Sequence, residues 1–250
     1  MRALALATCA AGLAHAARPT PKRQDAACTR EFLTDATTTY LAAQAAGDAA
    51  GVLALASDAL VYTENFKPAD AAAGILATAL VVDHDFSLLD TTQCATFTEL
   101  DGVVAKMESI ITTTGDWLFN AADTLKYASA EDWSEIPEAE RAERDVIQAA
   151  GDAYCDIFMD KTTEVPWGQP CARLEGGAYT GRGQPTDSCS VGIPDNVPLV
   201  NRRYVIDEVF GSVDIFMDFN GENGIPDSHM FRVESGKLRF VHTITNMSRL

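Results

Sequence analysis

The pattern of apolar and polar positions predicts that one order of elements, a helix followed by strands, occurs twice along the chain. In the first round, the apolar residues of CTREFLTDATTTYLAAQ recur at helical spacing until Gly47-Asp48 interrupts them. The β-prone stretches ALVYTENF and VVDHDFSLLDTTQCATFTEL follow, and KPADAAAGILATA between them predicts a short helix. The stretch FTELDGVVAKMESIIT alternates on both sides of Asp101-Gly102, which predicts a curved hairpin.

The second round begins after residues 115–137, which are rich in acidic and small residues and predict an ordered linker. The stretch EAERAERDVIQAAGDAYCDIFMD predicts a helix that starts near Ser134 or Pro137. Its predicted apolar stripe comprises Val146, Ala150, Ala153, Tyr154, Ile157 and Phe158. A short strand CARLEGG, a Gly/Pro-rich loop and the alternating stretches RRYVIDEVFGSVDIFMDF and HMFRVESGKLRFVHTIT complete the round.

The last stretches of the two rounds are similar, which favours an internal duplication. FTELDGVVAKMESIIT and FRVESGKLRFVHTIT share a Phe, an acid near the turn and a Gly five positions further on, at Gly102 and Gly236. Chance similarity between two β-hairpins is the alternative.

The N-terminus has the layout of a secretory signal peptide. One Arg precedes an apolar run from Ala3 to Leu13, and small residues follow it, so residues 1–17 predict a signal cleaved after Ala16 or Ala17. A membrane anchor is the alternative, but the run is far shorter than the roughly 20 residues that a bilayer requires. Residues 18–27 then form a linker or a propeptide with a dibasic pair, Lys22-Arg23.

The charge balance narrows the range of partners. The formal net charge is −17, and removal of residues 1–23 takes away four basic residues and no acid, which makes it −21. Such an acidic protein is repelled by nucleic acid and by anionic membrane surfaces, so we expect neither as a partner. The composition, 47% hydrophobic over 250 residues, is sufficient for one large domain or two small ones, and nothing in it indicates the oligomeric state.

Five cysteines follow the predicted signal, and an odd number leaves at least one without an intramolecular partner. Cys171 and Cys189 flank a Gly/Pro-rich loop that closes easily, so this is the first predicted disulfide. Cys28 with Cys94 is the second. Cys155 lies in the helical stretch GDAYCDIFMD, where a small buried thiol is expected. The chain has no CxxC motif, so we expect no metal site, and no motif indicates a cofactor.

Several motifs resemble known families. LAAQAAGD in a long first helix, the strand VYTEN and the terminal FRVESGKLRFVHT resemble nuclear-transport-factor-2-like and SnoaL-like proteins. The segments CARLEGGAYT at 171–180, RRYVIDE at 202–208 and PDSHMFRVESGKLRFVHT at 226–243 resemble secreted fungal proteins with domain of unknown function 8021. The resemblance implies an α+β fold in which a cone-like, curved antiparallel sheet packs on helices. With the duplication, it predicts two tandem halves, residues 28–114 and 138–250, joined by the linker 115–137. It implies no known reaction.

Strand alternation nominates the lining of a pocket in such a cone. His229 and His242 lie among aromatic residues on adjacent predicted strands and, with Glu175, are candidates for acid and base. Structural roles are the alternatives: hydrogen-bonded histidines, and an ion pair between Arg173 and Glu175. We predict that the loop 171–189 either forms a rim over the mouth of the cone or only ties the surface together, and that Glu175 and His242 line one cavity. The predicted ligand-binding residues are Tyr62, Glu64, Arg173, Glu175, Tyr179, Phe231, Phe240 and His242.

These features predict a secreted, extracellular protein that holds a small, largely apolar organic molecule. One alternative is a cofactor-independent isomerase or cyclase of fungal secondary metabolism. Another is a non-catalytic extracellular interaction protein.

Overall fold

The protein has a mixed α+β fold. The computed structural model describes residues 3–7, 28–56, 60–82, 85–98 and 106–247. Within these residues the helices are α1 (Arg30–Ala46), α2 (Ala49–Leu53), α3 (Ala121–Ala128) and α4 (Arg144–Asp156). The strands are β1 (Ala3–Ala7), β2 (Val61–Glu64), β3 (Lys67–Pro68), β4 (Ser87–Asp90), β5 (Ala95–Thr98), β6 (Lys106–Thr112), β7 (Trp167–Glu175), β8 (Ala178–Tyr179), β9 (Leu199–Asp207), β10 (Ser212–Phe219), β11 (Ile225–Glu234) and β12 (Lys237–Thr245).

Two six-stranded sheets pack face to face between helices. The first sheet has the order β3-β2-β6-β1-β5-β4, and the second has the order β8-β7-β12-β11-β10-β9. The faces that meet carry apolar side chains from both sheets, among them Leu88, Phe97 and Ile110 on one side and Phe216 and Met230 on the other. The opposite face of the first sheet packs against α1 and that of the second against α4. We call the face of each sheet that packs on its helix the inner face, and the other the outer face.

The two sheets have the same arrangement of strands. Each has a short hairpin at one end, β2–β3 or β7–β8, and each has one parallel pair at the next position, β2 with β6 or β7 with β12. Position by position, β1 in the first sheet then occupies the place of β11 in the second. This correspondence supports the duplication that the sequence suggests.

Two equivalent ion pairs connect the two halves. Arg30, the first residue of α1, pairs with Asp207 at the end of β9, and Arg144, the first residue of α4, pairs with Asp90 at the end of β4. Each carboxylate also accepts a hydrogen bond from the opposite edge strand: Leu89 N donates to Asp207 Oδ2 (2.9 Å) and Ile206 N donates to Asp90 Oδ2 (3.3 Å). The two halves therefore meet through equivalent contacts, as the subunits of a two-fold dimer do.

The predicted hairpin around Asp101-Gly102 is wrong in its pairing. β5 and β6 are not neighbours, because β1 lies between them and pairs antiparallel with both. The turn itself lies outside the described residues. The strand Ala3–Ala7 falls within the predicted signal peptide, so this pairing belongs to the chain before any cleavage, and the cleavage remains a prediction.

Three helix predictions also need correction. KPADAAAGILATA forms only a short 3-10 turn at Ile75–Ala77. The predicted linker 115–137 contains α3, which Asn120 caps by accepting from Asp123 N. The helix α4 begins at Arg144, later than predicted, and Val146 is exposed while Ile147 enters the core. Acidic residues before Arg144 extended the helical pattern without contributing to an apolar face.

The cysteine predictions are confirmed. Disulfides join Cys171 to Cys189 and Cys28 to Cys94, and Cys155 is a buried free thiol in α4. Among the described residues, no helix is both long and apolar enough to cross a membrane.

Candidate functional site

A cluster of polar side chains occupies the inner face of the second sheet. In the strand pairing, His229 on β11 lies opposite Thr243 on β12, and Thr243 lies opposite Glu175 on β7. Because successive side chains alternate between faces, the residues two positions away join the same face. The resulting inner-face polar cluster comprises Asp227, His229, Thr243, Thr245, Arg173 and Glu175.

An acid and a histidine form the buried centre of this cluster. Asp227 and His229 are 0% and 3% exposed, and Asp227 Oδ2 lies 3.2 Å from His229 Nδ1. Thr245 Oγ1 donates to the other carboxylate oxygen, Asp227 Oδ1, at 2.7 Å. Within the described part of the chain, Asp227 Oδ2, His229 Nδ1 and Thr243 Oγ1 are buried without a hydrogen-bond partner, since the 3.2 Å contact is not aligned for one. Unpartnered buried polar atoms destabilise a fold by about 1–3 kcal/mol each, so the cluster calls for an explanation.

Aromatic side chains enclose the cluster. Tyr154 of α4 packs against His229 (5.5 Å between ring centroids) and Phe231 (5.1 Å), and Phe158 contacts both Tyr154 and His229. Tyr154 is 1% exposed, and burial raises the pKa of its hydroxyl above the ordinary tyrosine value. The surroundings of the Asp227–His229 pair are thus largely apolar, which strengthens electrostatic interactions inside them.

The disulfide loop covers one end of the cluster. Arg173 Nη1 donates to the carbonyl oxygen of Cys189 (3.0 Å), and Arg173 Nε lies 2.9 Å from Glu175 Oε1. The ion pair predicted for these two side chains is therefore present. No helix or strand occurs between Tyr179 and Leu199, as the Gly/Pro content predicted.

Glycine allows the segment before α3 to pack on the strand that carries Glu175. Gly176 has a φ of +61°, and a Cβ there would lie 2.5 Å from the carbonyl oxygen of Trp117. Trp117 Nε1 in turn donates to Glu175 Oε2 (3.4 Å). The RLEGG sequence therefore places a carboxylate inside and leaves room outside for another segment.

The outer face carries a second acid–histidine pair. His242 Nε2 lies 2.6 Å from Glu131 Oε2, which also accepts from Trp133 Nε1 at 2.9 Å. The Glu131 side chain is 2% exposed. A cavity beside His242, lined also by Thr112, Phe119, Thr124 and Leu174, has a volume of about 30 Å³. That volume admits a water molecule, whereas pockets for organic ligands have about 300 Å³ or more.

The two candidate histidines, His229 and His242, therefore do not belong to one site. His242 is paired with Leu174 and lies on the outer face, whereas His229 lies on the inner face. The prediction that Glu175 and His242 line one cavity is wrong for the same reason, since Glu175 follows Leu174 and points to the opposite side. An irregularity in β12 between Leu238 and Phe240 also separates two residues that plain alternation had placed on one face.

The remaining predicted residues divide among three places. Arg173, Glu175 and Phe231 lie on the inner face of the second sheet, together with His229. Phe240 and Tyr179 lie on its outer face, where Phe240 contacts Trp133 and Tyr179 stacks on Tyr127 (4.6 Å between centroids). Tyr62 and Glu64 lie on the inner face of the first sheet, where Tyr62 donates to Glu64 Oε1 at 2.5 Å.

Sequence reasoning missed four residues of these sites: Asp227, Thr243, Tyr154 as a polar group, and Glu131. Alternation could have found the first two, because Asp227 stands two residues before His229 and Thr243 stands two residues after Val241. Glu131 is separated from His242 by 111 residues, so no local pattern could have paired them.

Within the described part of the chain, no three His, Cys, Asp or Glu side chains come close enough to hold a metal ion. No curated protein matches the chain. Residues 140–245, which include the inner-face polar cluster, α4 and the whole second sheet, match the sequence model of a domain of unknown function, DUF8021.

Proposed function

We propose that the protein is a secreted extracellular protein that holds a small, largely apolar organic molecule on the inner face of the second sheet. The observation that carries this proposal is the inner-face polar cluster, in which the 3.2 Å Asp227–His229 contact and the Thr243 hydroxyl, which has no hydrogen-bond partner, are buried among aromatic side chains. Binding sites for small molecules combine such apolar walls with a few convergent polar groups.

The energetics favour a ligand over a purely structural role. A fold gains nothing from buried polar atoms that lack partners, and apolar residues of similar shape would be more stable at these positions. Selection for stability alone therefore disfavours the cluster, whereas a ligand that completes the hydrogen bonds explains it.

Entry to the site requires movement of the disulfide loop. Arg173 and the aromatic residues Tyr154 and Phe158 close the face in this structure, with exposures of 6%, 1% and 5%. The loop between Tyr179 and Leu199 contacts Arg173 through the carbonyl oxygen of Cys189 and has no regular secondary structure. We infer that the exposed part of this loop, residues 182–186, is the rim that opens, because Cys189, Ile193 and Val197 hold the rest of the loop against the core.

The experiment is mass spectrometry of small molecules released on denaturing the protein purified from its native secretion. We expect an apolar organic molecule at stoichiometric amount from the wild type and a reduced amount from Thr243→Val. The outer-face variant His242→Gln, which leaves the cluster unchanged, is the matched control. Absence of any retained molecule, together with no binding from an apolar compound library, would contradict the proposal and favour the non-catalytic interaction protein.

A cofactor-independent isomerase or cyclase of fungal secondary metabolism is the second candidate, and the Asp227–His229 pair favours it. A histidine that an adjacent carboxylate orients can remove a proton from a bound molecule and return it at another position. The test is deuterium exchange from solvent into the retained molecule. We expect exchange in the wild type and its loss in His229→Gln, with the molecule still retained; exchange that persists in the variant would exclude His229.

The cone-like form of each half also belongs to this proposal. The shared strand order and the helix on each inner face support a SnoaL-like architecture. Two disulfides support an oxidising, extracellular location.

A further inference from the structure

The exposed turn of the disulfide loop contains a basic residue. Residues 182–186, of sequence RGQPT, are all exposed and belong to no helix or strand. Arg182 is the only Lys or Arg of this turn, and Gly183 follows it. Proteases cut most readily at exposed loop tips, where the backbone can leave the fold locally. The Arg182–Gly183 bond therefore suits a trypsin-like protease, whose S1 pocket binds a basic side chain.

The other exposed basic residues of the described structure are poorer cleavage sites. Lys161 lies in a turn after α4, but its Nζ donates to the carbonyl oxygens of Ile193 (3.2 Å) and Pro194 (2.7 Å). A protease would have to break these contacts to bind the side chain. The remaining exposed basic residues lie in regular secondary structure: Lys67 in β3, Lys126 in α3 and Lys237 in β12.

A cut at Arg182–Gly183 would leave both sheets complete. The bond lies between β8 and β9, so no strand is severed. The Cys171–Cys189 disulfide joins the chain before the cut to the chain after it, and so does the parallel pairing of β7 with β12. The product is therefore a folded protein of two chains, which separate only when the disulfide is reduced and the fold is lost.

Asp187 is positioned to hold the new chain ends. Its Oδ2 accepts from Arg182 N (2.6 Å) and Gln184 N (3.1 Å), and its carbonyl oxygen accepts from Cys171 N of β7 (2.9 Å). These two N–H groups, with that of Gly183, lower the pKa of the Asp187 carboxyl. In the hydrolysis, the oxygen of one water joins the carbonyl carbon of Arg182, the C–N bond breaks, and Gly183 gains an amino group that is mainly protonated at neutral pH. This ammonium group forms next to the Asp187 carboxylate.

We propose that the Arg182–Gly183 bond is a processing site for a secreted trypsin-like protease, and that the processed protein is a two-chain form joined by Cys171–Cys189. The inference goes beyond the ligand site and rests on the proposed function only for the extracellular location, where a disulfide stays oxidised. The cut lies within the rim 182–186, so it removes the covalent closure of the rim and leaves both of its sides attached to the protein.

The test treats the folded, non-reduced protein with a small amount of trypsin and identifies the first cut within residues 28–247 by mass spectrometry. We expect Gly183 as the new N-terminus, and two chains that migrate together without reductant and separate with it. Arg182→Gln should slow this cut on the order of 100-fold, because glutamine has no charge for the S1 pocket. The matched control, Lys161→Gln, should be cut at the wild-type rate.

The protein from its native secretion provides the second measurement. A two-chain form whose second chain begins at Gly183 would support the proposal. A secretion that cleaves the peptide GRGQPT after its arginine, yet contains the protein only as a single chain, would overturn it. A first trypsin cut elsewhere in residues 28–247, or no cut under conditions that degrade the unfolded protein, would also overturn it. None of these results depends on a retained molecule, so the processing site and the proposed ligand site are tested separately.

Discussion

The inner faces of the two sheets have several matching residues but differ in how their buried polar groups are paired. Tyr40 follows Arg30 by ten residues in α1, and Tyr154 follows Arg144 by ten residues in α4; both tyrosines are buried. Four residues further on, α1 has Gln44, whereas the turn that follows α4 has Phe158.

In the first half, the buried polar side chains of α1 have hydrogen-bond partners. The Tyr40 hydroxyl donates to Gln44 Oε1 (2.9 Å), and Gln44 Nε2 donates to the carbonyl oxygens of Ile75 and Thr78 (both 2.9 Å). Glu64, the counterpart of Glu175, accepts from Tyr62 and from Ile75 N. One unpartnered atom remains there in the described structure, Ser109 Oγ, at the position that matches Thr243.

The larger difference between the two inner faces comes from one place in the strand order, which β1 occupies in the first sheet and β11 in the second. In the second sheet β11 provides Asp227 and His229, whereas the corresponding place in the first sheet is taken by β1, which belongs to the predicted signal peptide. Among the residues that the structure describes, an acid–histidine pair therefore occurs on the inner face of the second sheet and not on that of the first. We therefore propose that the binding site lies in the second half.

The disulfides give the largest expected effect in testing this comparison, since each half has one. Cys28–Cys94 spans 66 residues and Cys171–Cys189 spans 18, so the longer loop gains more from closure. We expect the Cys28→Ser/Cys94→Ser variant to lose about 4 kcal/mol of unfolding free energy and Cys171→Ser/Cys189→Ser about 3 kcal/mol, by chemical denaturation. A second-half variant that also binds ligand faster would support the loop as the rim; an unchanged association rate would argue against it.

The exchanged ion pairs should contribute equally if the halves are equivalent in their contacts. Asp90 and Asp207 are each about 1% exposed and each pairs with an arginine of the other half. We expect Asp90→Asn and Asp207→Asn each to lower the unfolding free energy by about 2–3 kcal/mol, because each leaves a partly buried arginine without its charge partner. Denaturation curves check this; losses that differ by more than about 1 kcal/mol would show that the junction is not symmetric.

Removing one buried hydroxyl from each inner face should change the unfolding free energy in opposite directions in the two halves. Tyr40→Phe removes the donor to Gln44, so we expect a loss of about 1 kcal/mol. Thr243→Val removes a hydroxyl that has no partner, so we expect a gain of about 1 kcal/mol in the ligand-free protein. Thermal unfolding distinguishes the two outcomes. A Thr243→Val variant that is clearly destabilised would mean that the hydroxyl has a structural role.

The buried thiol gives the smallest effect. Cys155 is 0% exposed, and burial raises its pKa above the ordinary thiol value. The thiol therefore stays protonated and inaccessible at about pH 8, and we expect no alkylation by iodoacetamide until the protein is unfolded. Mass spectrometry of the native and unfolded protein provides the measurement. Rapid labelling of the native protein would show that α4 separates easily from the second sheet.

The sequence predicted the features that depend on local pattern. The Gly/Pro-rich loop indicated the Cys171–Cys189 disulfide, Cys28 with Cys94 was the second choice, and alternation placed Arg173, Glu175 and His229 on strands. The features that failed depend on chain segments that are distant in sequence. An irregularity in β12 changed the face of Leu238, β1 separated β5 from β6, and Glu131 reached His242 from the predicted linker. The periodicity of a single segment gives no information about its contacts with distant segments.

The most direct test of the central claim is a methyl NMR titration of the ligand-free secreted protein with the molecule that it retains, which observes both inner faces at once. Ile147, Val213, Ile215 and Val241 report on the second half, and Val52, Ile75 and Leu76 report on the first. We predict saturable shifts of the methyl groups in the second half, around His229, and no shifts of those in the first half, around Tyr40. Shifts centred on the first half, or spread equally over both, would contradict the assignment of function to the second half.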